Sequence, residues 1–288
     1  MGKALYDAYP QVRDLYGTAD AILGYSLSEL CFNGPSEALQ QTNHAQPALL
    51  VTELAHLEAL KLRYPGDFMQ PLFVAGHSLG EYSALVAAGV LAFTDALNLV
   101  AERGKLMQQA GEGIGEPTGM VAVMGLPDSA LGSLAEDAGV DIANFNSPGQ
   151  VVISGSLEAL EKAAALAKER GARRVIPLQV SAAFHSRWMR PMSEQFARTI
   201  ARTPFSGPRV AALANVTARP TTSSEEIRRL LAEQTYSPVR WVESVEYMAS
   251  EGVGAFVEIG PGKVLSGLVK RIIPDAQVLS SEDLLSLS

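Results

Sequence analysis

At 288 residues the chain is long enough for two domains or one large α/β domain, and with 47% hydrophobic and 19% charged residues it holds too much apolar material for a disordered tail. Its 23 Lys and Arg against 31 Asp and Glu leave a formal charge of −8 with no basic block, so phosphate-backbone binding is not its main activity and no nucleic acid partner is expected. One cysteine, Cys31, rules out an intramolecular disulfide, four scattered histidines offer no metal-ligand spacing, and the sequence has no Walker motif or Gly-x-Gly-x-x-Gly, so neither metal nor cofactor is expected.

Segments of helical period alternate with short β-branched runs, the pattern of an α/β protein with parallel strands. Residues 47–62 carry Leu49, Leu50, Leu54, Leu57 and Leu60 at helical spacing, and 71–75 read as a short buried strand. A turn over 76–80 leads into a helix over 79–91, made of small apolar residues with one acid, Glu81, and a further helix spans 95–110. Residues 119–178 read strand, helix, strand, strand, helix, strand, which is a ferredoxin-like order. Its strands are 120–123, 142–145, 151–153 and 174–178, its helices 128–138 and 157–170, and Ser147-Pro148-Gly149 is its hairpin turn. This unit, bounded at 115–178 after a glycine-rich entry, is expected as an insertion in a larger α/β domain built from 1–114 and 179–288. Beyond it come a strand over 210–213, helices over 225–234 and 239–250, a strand over 255–259 and a helix over 263–272. The longest apolar run, 84–93, is far short of the ~18 residues of a membrane span, and residues 1–7 lack the apolar core of a secretory signal. A cytoplasmic chain with no membrane contact is the expectation.

Gly76-His77-Ser78-Leu79-Gly80 is a Gly-x-Ser-x-Gly placed between a predicted strand and a predicted helix, where a tight turn lifts the serine into solvent. The backbone N–H of Leu79 at the helix start is then aimed to stabilise an oxyanion. The other reading is a glycine-rich connection with an idle serine. A nucleophilic serine needs a base, and four histidines compete. His77 adjoins the serine on the turn, so its ring points elsewhere; His56 lies in the Leu-rich helix and reads as packed; His44 lies in a polar loop over 40–46. His185, where the chain returns from the inserted unit, is the best candidate, against the plain alternative of a surface-loop histidine. Arg103 falls on an apolar helical row with Ala96, Leu99, Val100 and Met107, where a guanidinium calls for an anion unless its stem merely lies along the core.

Several ordered blocks carry a resemblance: Gln46-Pro47-Ala48-Leu49-Leu50, Gly76-His77-Ser78-Leu79-Gly80-Glu81-Tyr82-Ser83, Arg103-Gly104-Lys105-Leu106-Met107-Gln108, Asn144-Phe145-Asn146-Ser147-Pro148-Gly149-Gln150, Phe184-His185-Ser186, Pro238-Val239-Arg240-Trp241 and Glu258-Ile259-Gly260-Pro261-Gly262-Lys263. From residue 1 to about residue 272 the sequence resembles the malonyl-CoA:acyl carrier protein transacylases of fatty-acid synthesis, relatives of polyketide-synthase acyltransferase domains. The resemblance implies an α/β-hydrolase-like main domain with a parallel sheet and an inserted ferredoxin-like subdomain. It implies that Ser78 is acylated, that His185 is general base and acid, and that Arg103 holds the free malonyl carboxylate through a bidentate pair. It also implies that the backbone carbonyl of Gln234 orients the histidine, that Leu79 supplies an oxyanion donor, and that Gln46, His77, Asn146 and Phe184 line the substrate pocket.

Malonyl-CoA and an acyl carrier protein are the implied partners, and a monomer is expected. Carrier proteins are acidic as a rule, so docking on a chain of charge −8 needs a local basic patch, for which Arg187, Arg190, Lys263, Lys270 and Arg271 are candidates. The family pattern also has a first strand and a Gly-Gln-Gly loop whose glutamine N–H completes the oxyanion hole. The sequence as given starts after that point, shorter by roughly the size of one strand with its turn and flanks. The alternatives carried beside this reading are a serine esterase or thioesterase on the same elbow, and an inactive carrier-binding protein.

Overall fold

The computed structural model describes residues 1–66, 70–113 and 115–286. Five helices open the chain: α1 (Lys3–Ala8), α2 (Pro10–Leu23), α3 (Leu27–Asn33), α4 (Ser36–Leu39) and α5 (Thr42–Arg63). Strand β1 (Phe73–Val74) leads into α6 (Gly80–Ala87) and α7 (Phe93–Gly113). Next come β2 (Thr118–Met124), α8 (Leu131–Ala138), β3 (Asp141–Ser147), β4 (Gln150–Ser156), α9 (Leu157–Glu169) and β5 (Arg174–Pro177). The remainder runs α10 (Arg190–Arg202), β6 (Ala211–Ala214), β7 (Arg219–Thr221), α11 (Ser224–Gln234), β8 (Val239–Arg240), α12 (Trp241–Ser250), β9 (Ala255–Glu258), α13 (Val264–Ile272), β10 (Gln277–Ser280) and α14 (Ser281–Leu285).

The segment from β2 to β5 forms the sheet order β5-β2-β4-β3, with β2 antiparallel to both β4 and β5. Numbered from the first strand of that unit the order is four, one, three, two, so its ferredoxin-like topology is present. Val121, Val123, Val151 and Ile153 on one face pack against Leu134, Leu160, Ala163 and Ala167 of α8 and α9. Met120, Ala122, Ala143 and Val152 on the other face pack against Val180 and Phe184, and so seat the segment that carries His185. Ile114, the expected end of the first main-domain segment, lies outside the described residues.

In the main body β1 pairs parallel with β6, which pairs antiparallel with β7, and β9 pairs parallel with β10. Among the described residues β1 has a strand neighbour on one side only, and so has β9. Around these strands α5 and α7 bury Leu50, Leu54, Leu57, Leu60, Leu97, Leu99 and Val100 with Tyr16 and Tyr82. Each such leucine contributes on the order of 1.5–3 kcal/mol on leaving water, so the α5–α7 contact is the rigid floor on which the site stands.

Three expected boundaries are corrected. Helix α5 starts at Thr42, not at residue 47, and encloses Pro47. Gln41 O accepts both His44 N–H and Ala45 N–H, which closes a first turn ahead of the proline, and burial of the following leucines holds the rest. His44 is therefore helical, with Nδ1 2.9 Å from Ala38 O, and does not lie in a polar loop. Helix α6 stops at Ala87, four residues early, because Gly89 turns the chain with φ 73°. Val239 and Arg240, expected to start a helix, instead pair with Asn144 and Phe145 of β3 as a fifth, parallel strand of the ferredoxin-like sheet. Among the described residues no helix is long and apolar enough to cross a membrane.

Candidate active site

Ser78 sits between β1 and α6 with φ 52°, a left-handed conformation that a side-chain-bearing residue adopts only under constraint. A Cβ on Gly76 would lie 2.0 Å from the backbone carbon and oxygen of Gly80, so the turn closes only because residue 76 has no side chain. Gly76→Ala is expected to force the turn open, lowering stability by about 1–3 kcal/mol and removing most covalent labelling of Ser78 by a serine-directed sulfonyl fluoride. Thermal melts beside a labelling assay check it; a variant with wild-type melting and labelling contradicts this account of the turn. Leu79 caps α6, and its N–H has no hydrogen-bond partner among the described residues. It is the donor available beside the serine.

His185 follows β5 on the return to the main body and is buried, with φ 56°. Its Nε2 lies 2.7 Å from Ser78 Oγ and its Nδ1 2.8 Å from Gln234 O. A carbonyl only accepts, so Nδ1 carries the proton and donates it to Gln234, which leaves the Nε2 lone pair facing the serine hydroxyl. Burial first, and the positive charge of Arg103 second, push the histidine down to about 3. It is neutral at rest and able to take a proton.

Arg103, on α7, is fully buried. Nη1 donates to Gln46 Oε1 at 2.6 Å, while Nη2 donates to Ser78 Oγ at 3.0 Å and to Gln234 Oε1 at 3.0 Å. Its guanidinium stands 5.6 Å from the centre of the Tyr82 ring, and Nε is buried without a partner. Among the described residues it makes no ion pair with a carboxylate. Burial lowers its pKa, against the opposing pull of Tyr82 and Glu81. A buried guanidinium partnered only by amides and a hydroxyl is poorly compensated, and a carboxylate brought beside Ser78 would supply what it lacks.

Of the other expected pocket residues, Gln46 touches Arg103 directly, whereas His77 and Asn146 bond each other, Nε2 to Oδ1 at 2.8 Å. That pair ties the elbow to β3, and the His77 ring also lies 5.8 Å from that of Trp241. Phe184 is half-buried beside His185, with its carbonyl accepting from Ser154 Oγ at 2.6 Å. Of the basic docking candidates, Arg187 is paired with Asp141 and Lys263 with Asp283, Arg271 bonds Gln150, and Lys270 bonds the carbonyl of Ala276. Arg190 stacks on Tyr236 at 4.6 Å.

Two residues escaped the sequence reading as members of the site. Asn215 accepts the Ser78 N–H on Oδ1 at 2.7 Å, and Glu81 accepts from Gln234 Nε2 at 2.7 Å. Glu81 was visible as the lone acid of an apolar helix; Asn215 left no signal in its own neighbourhood. Burial raises the Glu81 carboxyl to about 7 from 4.5, against hydrogen bonds from Gln234 and Asn215. A raised carboxyl stabilises the fold fully below 4.5 and loses that contribution as pH rises through about 7. His185 works in the opposite sense: its depressed pKa makes a contribution present above 6.5 and lost as pH falls towards about 3. Glu81→Gln, which does not titrate, should therefore flatten the fall in melting temperature between pH 4.5 and 7, a term of up to roughly 3 kcal/mol at ~1.36 kcal/mol per pH unit. Melts across that range check it, and an unchanged slope would show that Glu81 is ionised throughout.

The family model for the acyl transferase domain matches residues 1–287. The malonyl CoA-acyl carrier protein transacylase of Haemophilus influenzae is 47% identical over 285 residues, covering 97% of this chain and 90% of the relative. The crystal structure of an acyl carrier protein S-malonyltransferase from Vibrio cholerae superposes with a TM-score of 0.91 at 43% identity, covering 96% of this chain and 90% of that one. A malonyl-transacylase solved in complex with its type II polyketide-synthase acyl carrier protein superposes with a TM-score of 0.92 at 40% identity, covering 97% and 90%. A strained serine elbow paired with a buried histidine, a buried guanidinium beside that serine and agreement along nearly the whole chain lead to one assignment: the chain belongs to the acyl transferase domain family, among the malonyl CoA-acyl carrier protein transacylases.

Proposed function

We propose that the chain moves a malonyl group from malonyl-CoA to the phosphopantetheine thiol of an acyl carrier protein, through an ester on Ser78, in fatty-acid synthesis. The observation that carries this reading is the buried Arg103, without a carboxylate partner among the described residues, 3.0 Å from Ser78 Oγ. Malonyl-CoA brings the missing carboxylate two bonds from the thioester carbonyl that the serine attacks.

In the first half-reaction Ser78 Oγ gives its proton to His185 Nε2 and bonds the thioester carbonyl carbon, while the developing oxyanion meets the Leu79 N–H. Collapse breaks the carbon–sulfur bond, and the imidazolium returns its proton to the departing CoA sulfur. The second half-reaction runs the same steps with the carrier thiol as attacker and Ser78 as leaving group. Between the two, Arg103 keeps the malonyl carboxylate in place. The reading needs neither metal nor cofactor and expects a monomer in the cytoplasm.

Radiolabelled malonyl-CoA, incubated with the chain with and without holo carrier protein, tests this. Stable protein labelling that passes to the carrier is the expected result. Rapid release of free malonate would make the chain a thioesterase, and no labelling at all would make it an inactive carrier-binding protein; either overturns the proposal.

A further inference from the structure

No glycine relieves the left-handed φ of Ser78, so its neighbours must hold it there. Asn215, directly after β6, brackets the turn: Oδ1 accepts the Ser78 N–H at 2.7 Å and Nδ2 donates to Gly76 O at 2.7 Å. Gln234 holds the other side of the same residue, donating from Nε2 to Ser78 O at 3.0 Å. Glu81 joins the two, for its Oε2 accepts Gln234 Nε2 at 2.7 Å and the Asn215 backbone N–H at 3.1 Å. All three side chains are buried.

The orientation of the Gln234 amide follows from these contacts. Ser78 O and Glu81 Oε2 are both acceptors, so the amide nitrogen must face them and Oε1 must face Arg103 Nη2, 3.0 Å away. The backbone carbonyl of the same residue accepts from His185 Nδ1. One glutamine thus meets nucleophile, base and guanidinium together, and Glu81 fixes that glutamine.

We propose that Glu81 and Asn215 are positioning residues for the acyl transfer: they hold the Ser78 turn and the Gln234 side chain in register with His185 and Arg103 without touching the reacting atoms. This rests on the reading of Ser78 as the nucleophile. The role requires an acceptor at residue 81 and not its charge. With the carboxyl raised to about 7, both protonation states are populated near neutrality, and Oε2 accepts in each.

The test compares Glu81→Leu, Glu81→Gln and wild type by the rate at which phenylmethylsulfonyl fluoride modifies Ser78. In that reaction an Oγ–sulfur bond forms, the sulfur–fluorine bond breaks, fluoride departs and His185 takes the serine proton. It therefore reports the serine–histidine geometry whatever acyl group the site accepts. Misplacement by an ångström can cost about a hundredfold, so the folded Leu variant should react roughly 10- to 100-fold more slowly and take up malonyl at least as poorly. Glutamine keeps the acceptor and should stay within about threefold of wild type, a rescue that a merely structural carboxyl would not show in reactivity per folded molecule. If Glu81→Leu does not fold, Asn215→Ala removes the same clamp from its other end and is read identically. A folded Leu or Ala variant reacting at the wild-type rate, or Glu81→Gln as slow as Glu81→Leu, overturns the proposal. Malonyl labelling of the wild-type chain tests the nucleophile reading separately.

Discussion

Ser78→Ala is expected to leave a folded chain that malonyl-CoA does not label. The change removes one oxygen whose hydrogen bonds run to His185 and Arg103, and it leaves intact the backbone contacts of residue 78 with Asn215 and Gln234. Melting should stay near wild type, since the fold does not depend on that oxygen. Transfer to the carrier should fall by several orders of magnitude, because the hydroxyl that His185 Nε2 faces at 2.7 Å is gone. His185→Ala should slow acylation to a comparable degree, and the double variant should be hardly worse than either single one, since residues that act as a unit are not additive. Intact-mass measurement after incubation with malonyl-CoA checks the first point, and single-turnover kinetics the second. Labelling of the Ser78→Ala chain at another residue would remove the serine from the mechanism.

Arg103→Ala should reverse the preference for acyl groups. A lost charge-assisted bidentate contact to the malonyl carboxylate costs about 2–4 kcal/mol, or roughly 30- to 1000-fold in malonyl transfer. Acetyl-CoA has no carboxylate to leave unpaired, so its use should rise relative to malonyl-CoA. Lysine should rescue only in part, for a point charge cannot reproduce the planar fork that now spans Gln46, Ser78 and Gln234. The variant should also shift the pH dependence. With the guanidinium gone, one of the two leading causes that depress His185 disappears, so its pKa rises from about 3 towards 6.5. The base then becomes protonated at higher pH than in the wild type, and acylation should begin to fall at correspondingly higher pH as the medium is acidified. Ratios of kcat/KM for malonyl-CoA and acetyl-CoA across pH check both statements, and an unchanged ratio would reduce Arg103 to a structural arginine.

The ferredoxin-like unit was legible because each of its elements is specified locally: alternating or continuous apolar strands, a Ser-Pro-Gly turn, and helices with one apolar stripe. The serine elbow was legible for the same reason, with Gly76 standing at the position where a side chain would meet the backbone of Gly80. What the sequence hid depends on distant partners. Strand β8 is two residues long, and only its pairing with β3 makes Val239 and Arg240 extended. Pro47 masked the start of α5, since the burial that carries the helix past a proline is a tertiary effect. The apolar row through Arg103 was visible, yet its meaning rests on Gln46, Ser78 and Gln234 being its partners where a carboxylate would otherwise stand. Asn215 lies 137 residues from the serine N–H it accepts, and no periodicity spans that interval.

The central claim is that Ser78 carries the malonyl group between two thiols while water is kept from it. Its most direct test is to isolate the acylated chain free of CoA, locate the acyl group by peptide mass mapping, and chase one portion with holo carrier protein and another with buffer. The account predicts a malonyl ester on Ser78 alone, discharged to the carrier thiol within the mixing time and lost to buffer far more slowly. An acyl group on a different residue, or one that leaves as fast to buffer as to the carrier, would contradict it.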